Sequence, residues 1–145
     1  MRLKKLIRHL PDNVAEAIAD SLDLEVKGEG SLAVQRLLPL IEQHPELTVI
    51  HACLAFLLSC SGAHDAAIER GRKAVLMSPA AEKTSLVYFH VLYKAGRRKE
   101  AVEEMERYLA IRPSKEYAEI AKDLEGFLTS NGTGPLASAI LRGNR

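Results

Sequence analysis

The chain has no tryptophan, and aromatic residues make up only 5% of its 145 positions. Alanine and leucine dominate instead, a composition that favours helices. It has two cysteines, Cys53 and Cys60. On one helix a seven-residue step is roughly 10 Å along the axis. A disulfide needs Cα atoms about 4.4–6.8 Å apart, so the pair cannot bridge within a helix. There is no CxxC pair, and two small buried thiols in a reducing compartment are expected. Neither charge sign dominates: 20 Lys and Arg face 19 Asp and Glu, for a formal net charge of +1. No global field therefore draws the chain to nucleic acid or to an anionic membrane. No run of about 18 apolar residues occurs, so no membrane-spanning helix is expected. The basic opening "MRLKKLIRHLPDN" lacks an apolar stretch of signal-peptide length. The chain reads as cytoplasmic.

Catalytic patterns are also missing. "SNGTGP" at 130–135 has two glycines but not the GxxxxGK[ST] of a phosphate loop, and there is no GxSxG or HExxH. His51 and Cys53 are two apart and face different sides of a helix. Cys60 and His64 are separated by the turn at Gly62. No metal, cofactor or enzymatic activity is expected from these residues. "NGT" at 131–133 fits a glycosylation sequon, with no other sign of secretion. Around "KAGRRKE" the basic residues Lys94, Arg97, Arg98 and Lys99 form a solvated turn, not a nucleic-acid patch.

What is present is a repeat. Hydrophobic content is 47% and charged content 27%, the balance of a globular domain. Prolines stand at 11, 45, 79 and 113, each 34 residues from the next; only Pro39 and Pro135 lie off this lattice. "CSGAHDAAIERGRKAVLMSP" (60–79) and "KAGRRKEAVEEMERYLAIRP" (94–113) share Gly at the third place, Ala at the eighth and Pro at the last. A fixed period of about 20–50 residues marks a stacked-repeat architecture.

The pattern resembles the tetratricopeptide repeat, a helix–turn–helix unit. The unit 48–81 carries Leu54, Ala55, Leu58, Gly62, Ala67, Ala74 and Pro79 in the matching places. The unit 82–115 carries Tyr88, Leu92, Gly96, Ala101, Met105, Tyr108 and Pro113. The unit 14–47 keeps Leu24, Gly28, Ala33, Leu37 and Pro45, but has Asp20 and Ser21 where a large–small pair belongs. The resemblance implies an all-α fold, an α-solenoid of three helical hairpins in a right-handed superhelix with a capping helix. The match spans the three units 14–47, 48–81 and 82–115; the single domain it implies covers residues 1–129, followed by a flexible or docking tail at 130–145.

The physical roles follow. Ala55, Ala67 and Ala101 should mark close helix crossings, where contact residues must be small. Gly62 and Gly96 should end first helices in a left-handed cap. Pro79 and Pro113 should stop second helices. Ser114 should cap a final helix over 114–129, whose Tyr117, Ile120, Ala121 and Leu124 form an apolar stripe. Leu3, Leu6, Ile7 and Leu10 suit a lid at the other end. Pro39 falls inside a predicted helix from Leu32 to His44, where a kink or break is expected. Gly71 is small where the family is large, and Phe89 is large where the family is small. The Phe89 ring is expected to fill the space at Gly71.

In the family, first helices line an inner groove. Transferred here, the groove takes Ala15, Ile18, Ala19 and Leu22. It adds Val49, Ala52, Cys53, Phe56, Ser59 and Cys60, then Lys83, Leu86, Val87, His90, Tyr93 and Lys94. The carboxylate clamp of some members is not expected, because only Lys83 is basic in a suitable place. An apolar groove with a polar rim implies a protein partner, an apolar or amphipathic peptide segment. The implied function is a non-catalytic adaptor or chaperone-like module, similar in size and architecture to small bacterial secretion chaperones of this repeat type. The alternative is a self-assembling scaffold. There "GPLASAILRGNR" or the terminal helices would join copies into a homo-oligomer.

Overall fold

The computed structural model describes residues 10–130, with side chains through Leu124. The proposed lid over residues 3–10 falls mostly outside the described residues, and the tail at 130–145 does so except for Ser130, which ends the last helix. Seven helices form, and no strand occurs among the described residues. They are α1 (Asp12–Val26), α2 (Gly30–Gln43), α3 (Thr48–Cys60), α4 (His64–Met77), α5 (Glu82–Lys94), α6 (Arg98–Leu109) and α7 (Lys115–Ser130).

The six helices before α7 are three hairpins. Each helix packs on its neighbour in sequence, and the first helices of successive hairpins also touch, α1 on α3 and α3 on α5. The core has two clusters. Val14, Ile18, Ala33, Leu37, Ile50 and Leu57 form one. Ala55, Ala67, Leu92, Ala101, Met105, Tyr108 and Tyr117 belong to the other. Helix α3 contributes to both and joins them. Ala55, Ala67 and Ala101 are fully buried, as their crossing role requires.

The turn inside each hairpin is set by one glycine. Gly28, Gly62 and Gly96 have φ of 81°, 84° and 82°. Each sits in a double-bonded helix stop: Gly62 N–H donates to Ser59 O and Ala63 N–H to Leu58 O, and the other two turns repeat this pair. A Cβ on these glycines would meet nothing within 4 Å. The requirement is therefore the positive φ, not space. Between the hairpins, Pro45 and Pro79 take the second place of turns closed by Leu47 N–H to His44 O and Ala81 N–H to Ser78 O. His44 and Ser78 before them have left the helical region, at φ −134° and −138°.

Two departures in the sequence find their explanation here. Helix α2 runs unbroken through Pro39 to Gln43, so the expected break is not formed. Pro39 and Gln35 are both exposed, and water can take the Gln35 carbonyl that loses its partner. Ser21 is wholly buried as the small member of its pair, and its hydroxyl donates to Ala17 O at 2.7 Å. Its neighbour Asp20 stays at the surface, 3.4 Å from Arg36.

The expected pairing of Gly71 with Phe89 is not formed. Tyr88 occupies that space. One residue is about 100° on a helix, so Phe89 faces α7 instead. Its ring meets Tyr117 edge-on at 5.7 Å and stacks with Tyr93 at 5.9 Å.

Helix α7 closes the stack. Tyr117 N–H donates to Ser114 Oγ at 3.1 Å, the expected cap. Tyr117, Ala121 and Leu124 are buried against the second cluster, with Ile120 partly buried beside them.

Candidate binding groove

Three adjoining hollows run across the first helices. The first, about 530 Å³, takes Ile18 and Leu22 from α1, Val49, Ala52, Cys53 and Phe56 from α3, and Lys83 and Val87 from α5. The second, about 470 Å³, takes Phe56, Ser59 and Cys60 from α3 and Lys83, Leu86, Val87, His90 and Lys94 from α5. Phe56, Lys83 and Val87 border both and form the saddle between them. A third, about 250 Å³, holds His90 and Tyr93 with Phe89 and with Ile120, Asp123 and Leu124 of α7. Of the sixteen residues named for the groove, fourteen border one of these hollows. Ala15 and Ala19 line none of them.

Helix geometry explains the convergence. Val49, Ala52, Cys53, Phe56 and Cys60 recur every three or four residues along α3, one face of a 3.6-residue helix. Lys83, Leu86, Val87, His90 and Lys94 do the same on α5. Phe56 is 42% exposed, a large apolar ring held at the surface of the saddle. The turns between hairpins add Leu47, Ser78 and Ala81, and Leu10 and Glu46 close one end. The contribution of α7, including Glu116 in the second hollow, is invisible in the repeat pattern because α7 is not part of a repeat.

The polar groups of the trough are few, and several are already engaged. Thr48 and Ser78 hydroxyls bond each other at 2.7 Å. Glu46 lies 3.7 Å from His44. Burial pushes the Cys53 thiol up to about 12 and raises that of Cys60, which the nearby Glu25 carboxylate raises further. Both cysteines are free. Burial lowers the His90 pKa, with Glu116 opposing the shift. Among the described residues no group of three His, Cys, Asp or Glu side chains is placed to hold a metal ion. No helix there is long and apolar enough to cross a membrane.

Behind the groove lies a polar chain that sequence reasoning missed. Tyr117 O–H donates to Ser85 Oγ at 2.7 Å, and Ser85 O–H donates to Glu104 Oε2 at 2.6 Å. The direction follows because the carboxylate takes the one Ser85 proton. Arg107 grips Glu104 with two N–H bonds of 2.7 Å and donates to Pro79 O at 2.9 Å. The chain ties α5, α6, α7 and the turn after α4 together. A hint was Glu104 falling on the apolar face of α6, between Ala101 and Tyr108.

Compared with known proteins, the chain matches no family model and no curated sequence.

Proposed function

We propose that the protein is a non-catalytic binding module of the tetratricopeptide-repeat type. It holds an apolar or amphipathic peptide segment of another protein across α1, α3 and α5, as an adaptor or chaperone-like factor. One observation carries the reading. Side chains from three separate helices, 34 residues apart in register, converge on adjoining hollows with an exposed phenylalanine at their saddle. A core function would bury Phe56, and a solvated face would not repeat apolar residues at these places. A cytoplasmic setting fits the two free thiols.

The test is selection of displayed 16-residue peptides on the full chain, followed by binding of the winners to Phe56→Glu. Phe56 is exposed, so its replacement leaves the core intact. The reading expects peptides with apolar residues at helical spacing, bound at least ~10-fold more weakly by the variant. Peptides that bind both proteins equally would sink it.

A further inference from the structure

We infer that the occupant of the groove is an amphipathic helix that carries a carboxylate between two apolar anchors, with Lys83 as the residue that selects it. This rests on the proposed groove function and sharpens it.

The charge pattern is the first ground. Lys83 borders both main hollows and is exposed at the saddle. Among the described residues no carboxylate lies within ion-pair distance of it. The acids of the trough are differently placed. Glu46 has His44 beside it, and Glu116 acts on His90. Any segment that crosses the saddle passes the Lys83 ammonium, flanked by Phe56 and Val87. An apolar residue there would strip water from a charge, whereas a carboxylate gives it a partner.

Geometry sets the spacing. Cys53 faces the first hollow and Cys60 the second. Seven residues on α3 are about 10.5 Å along its axis. A helix laid alongside reaches the two hollows with side chains at i and i+7, and the saddle with i+3 or i+4. The walls also favour a helix over an extended strand. An extended peptide needs partners for its main chain, and the walls of the two hollows are mainly apolar surface with few groups to supply them. A helix satisfies its own backbone.

The experiment uses the full chain and a library of 16-residue peptides. Leu is fixed at i and i+7, and the positions between are randomised. Selected peptides are then titrated by fluorescence anisotropy against wild type, Lys83→Glu and Phe56→Glu. Lys83 lies in the first turn of α5, where an acidic residue suits the helix dipole, so Lys83→Glu keeps the fold. The expected result is enrichment of Asp or Glu at i+3 or i+4. Lys83→Glu should weaken these peptides about tenfold, and peptides with Lys at the same place should recover the loss on the variant. Peptides that need Phe56 but show no acidic preference and ignore Lys83→Glu overturn this inference and leave the groove reading standing. If no selected peptide depends on Phe56, the groove reading fails and takes the inference with it.

Discussion

Gly71 on α4 leaves the space that Tyr88 on α5 fills: a methyl group on Gly71 would come within 2.7 Å of Tyr88 Cδ1 and 3.5 Å of its Cα. The near atom belongs to the ring close to its attachment, so the side chain cannot swing clear cheaply. The joint between the second and third hairpins therefore depends on a glycine in mid-helix, where glycine costs about 1 kcal/mol relative to alanine.

This relationship predicts a change of sign. In the wild-type background Gly71→Ala destabilises by about 1 kcal/mol, because overpacking of about 1–3 kcal/mol outweighs the gain in helix propensity. With Tyr88→Ala already present the clash is gone, and Gly71→Ala stabilises by about 1 kcal/mol. Urea unfolding of the four proteins measures the cycle. Additive effects would show that the two residues are not coupled.

The polar chain behind α7 predicts an order of damage. Arg107→Met removes both N–H bonds to Glu104, whose side chain is 5% exposed, and leaves a buried carboxylate with Ser85 as its remaining partner. About 2 kcal/mol is expected, below the usual cost of a broken buried pair because Arg107 is itself 33% exposed. Tyr117→Phe keeps the ring in its aromatic cluster and removes one donor, at about 1 kcal/mol. A Tyr117→Phe variant less stable than Arg107→Met would reverse the assignment of the charged pair as the anchor.

His51 predicts a dependence on pH. Its ring is wholly buried; Nε2–H donates to Pro45 O at 3.0 Å, and Nδ1 faces Arg70 Nη1 at 3.4 Å. This arrangement needs the neutral ring, since a protonated Nδ1 would point N–H at a guanidinium. Burial and the nearby Lys73 and Arg70 charges lower its pKa, and the bond to Pro45 opposes them. The unfolded chain takes up the proton first as pH falls. The His51 contribution is therefore complete above about pH 6.5 and is lost as pH drops toward the lowered folded value. Melting temperatures from pH 7.5 to 5 should decline less steeply in His51→Gln. His90 is also lowered but lies at the surface, so His90→Gln should flatten the decline less than His51→Gln does.

The groove thiols should be slow. A thiol raised to about 12 is ionised in about one molecule in ten thousand at pH 8, whereas a free cysteine is ionised in about a quarter. Iodoacetamide should modify Cys53 far more slowly than glutathione, with Cys60 reacting before it. Both thiols are half-buried, not buried as expected from the sequence. Rapid modification of Cys53 in the folded protein would contradict the desolvation that raises its pKa.

Much of the architecture is legible in the amino-acid sequence alone. The 34-residue lattice of prolines, the three turn glycines and the alanines at crossings each answer to a local rule. A left-handed cap needs glycine, a turn after a helix accepts proline, and a close crossing needs a small side chain. The groove faces of α3 and α5 are equally legible, because a 3.6-residue period assigns a face without knowledge of the neighbour. The tertiary structure decided what depends on which neighbour a face meets. Tyr88 and Phe89 differ by one residue and so by about 100° on α5, and only packing against α4 and α7 settled which ring fills the gap at Gly71. Packing of α6 on α5 brought Glu104 to Ser85 across 19 residues of chain, and only the docking of α7 brought Tyr117 to Ser85 across 32. Helical periodicity is a local property of the sequence, whereas the partner of a buried hydroxyl or carboxylate is set by three-dimensional approach, which no spacing rule encodes.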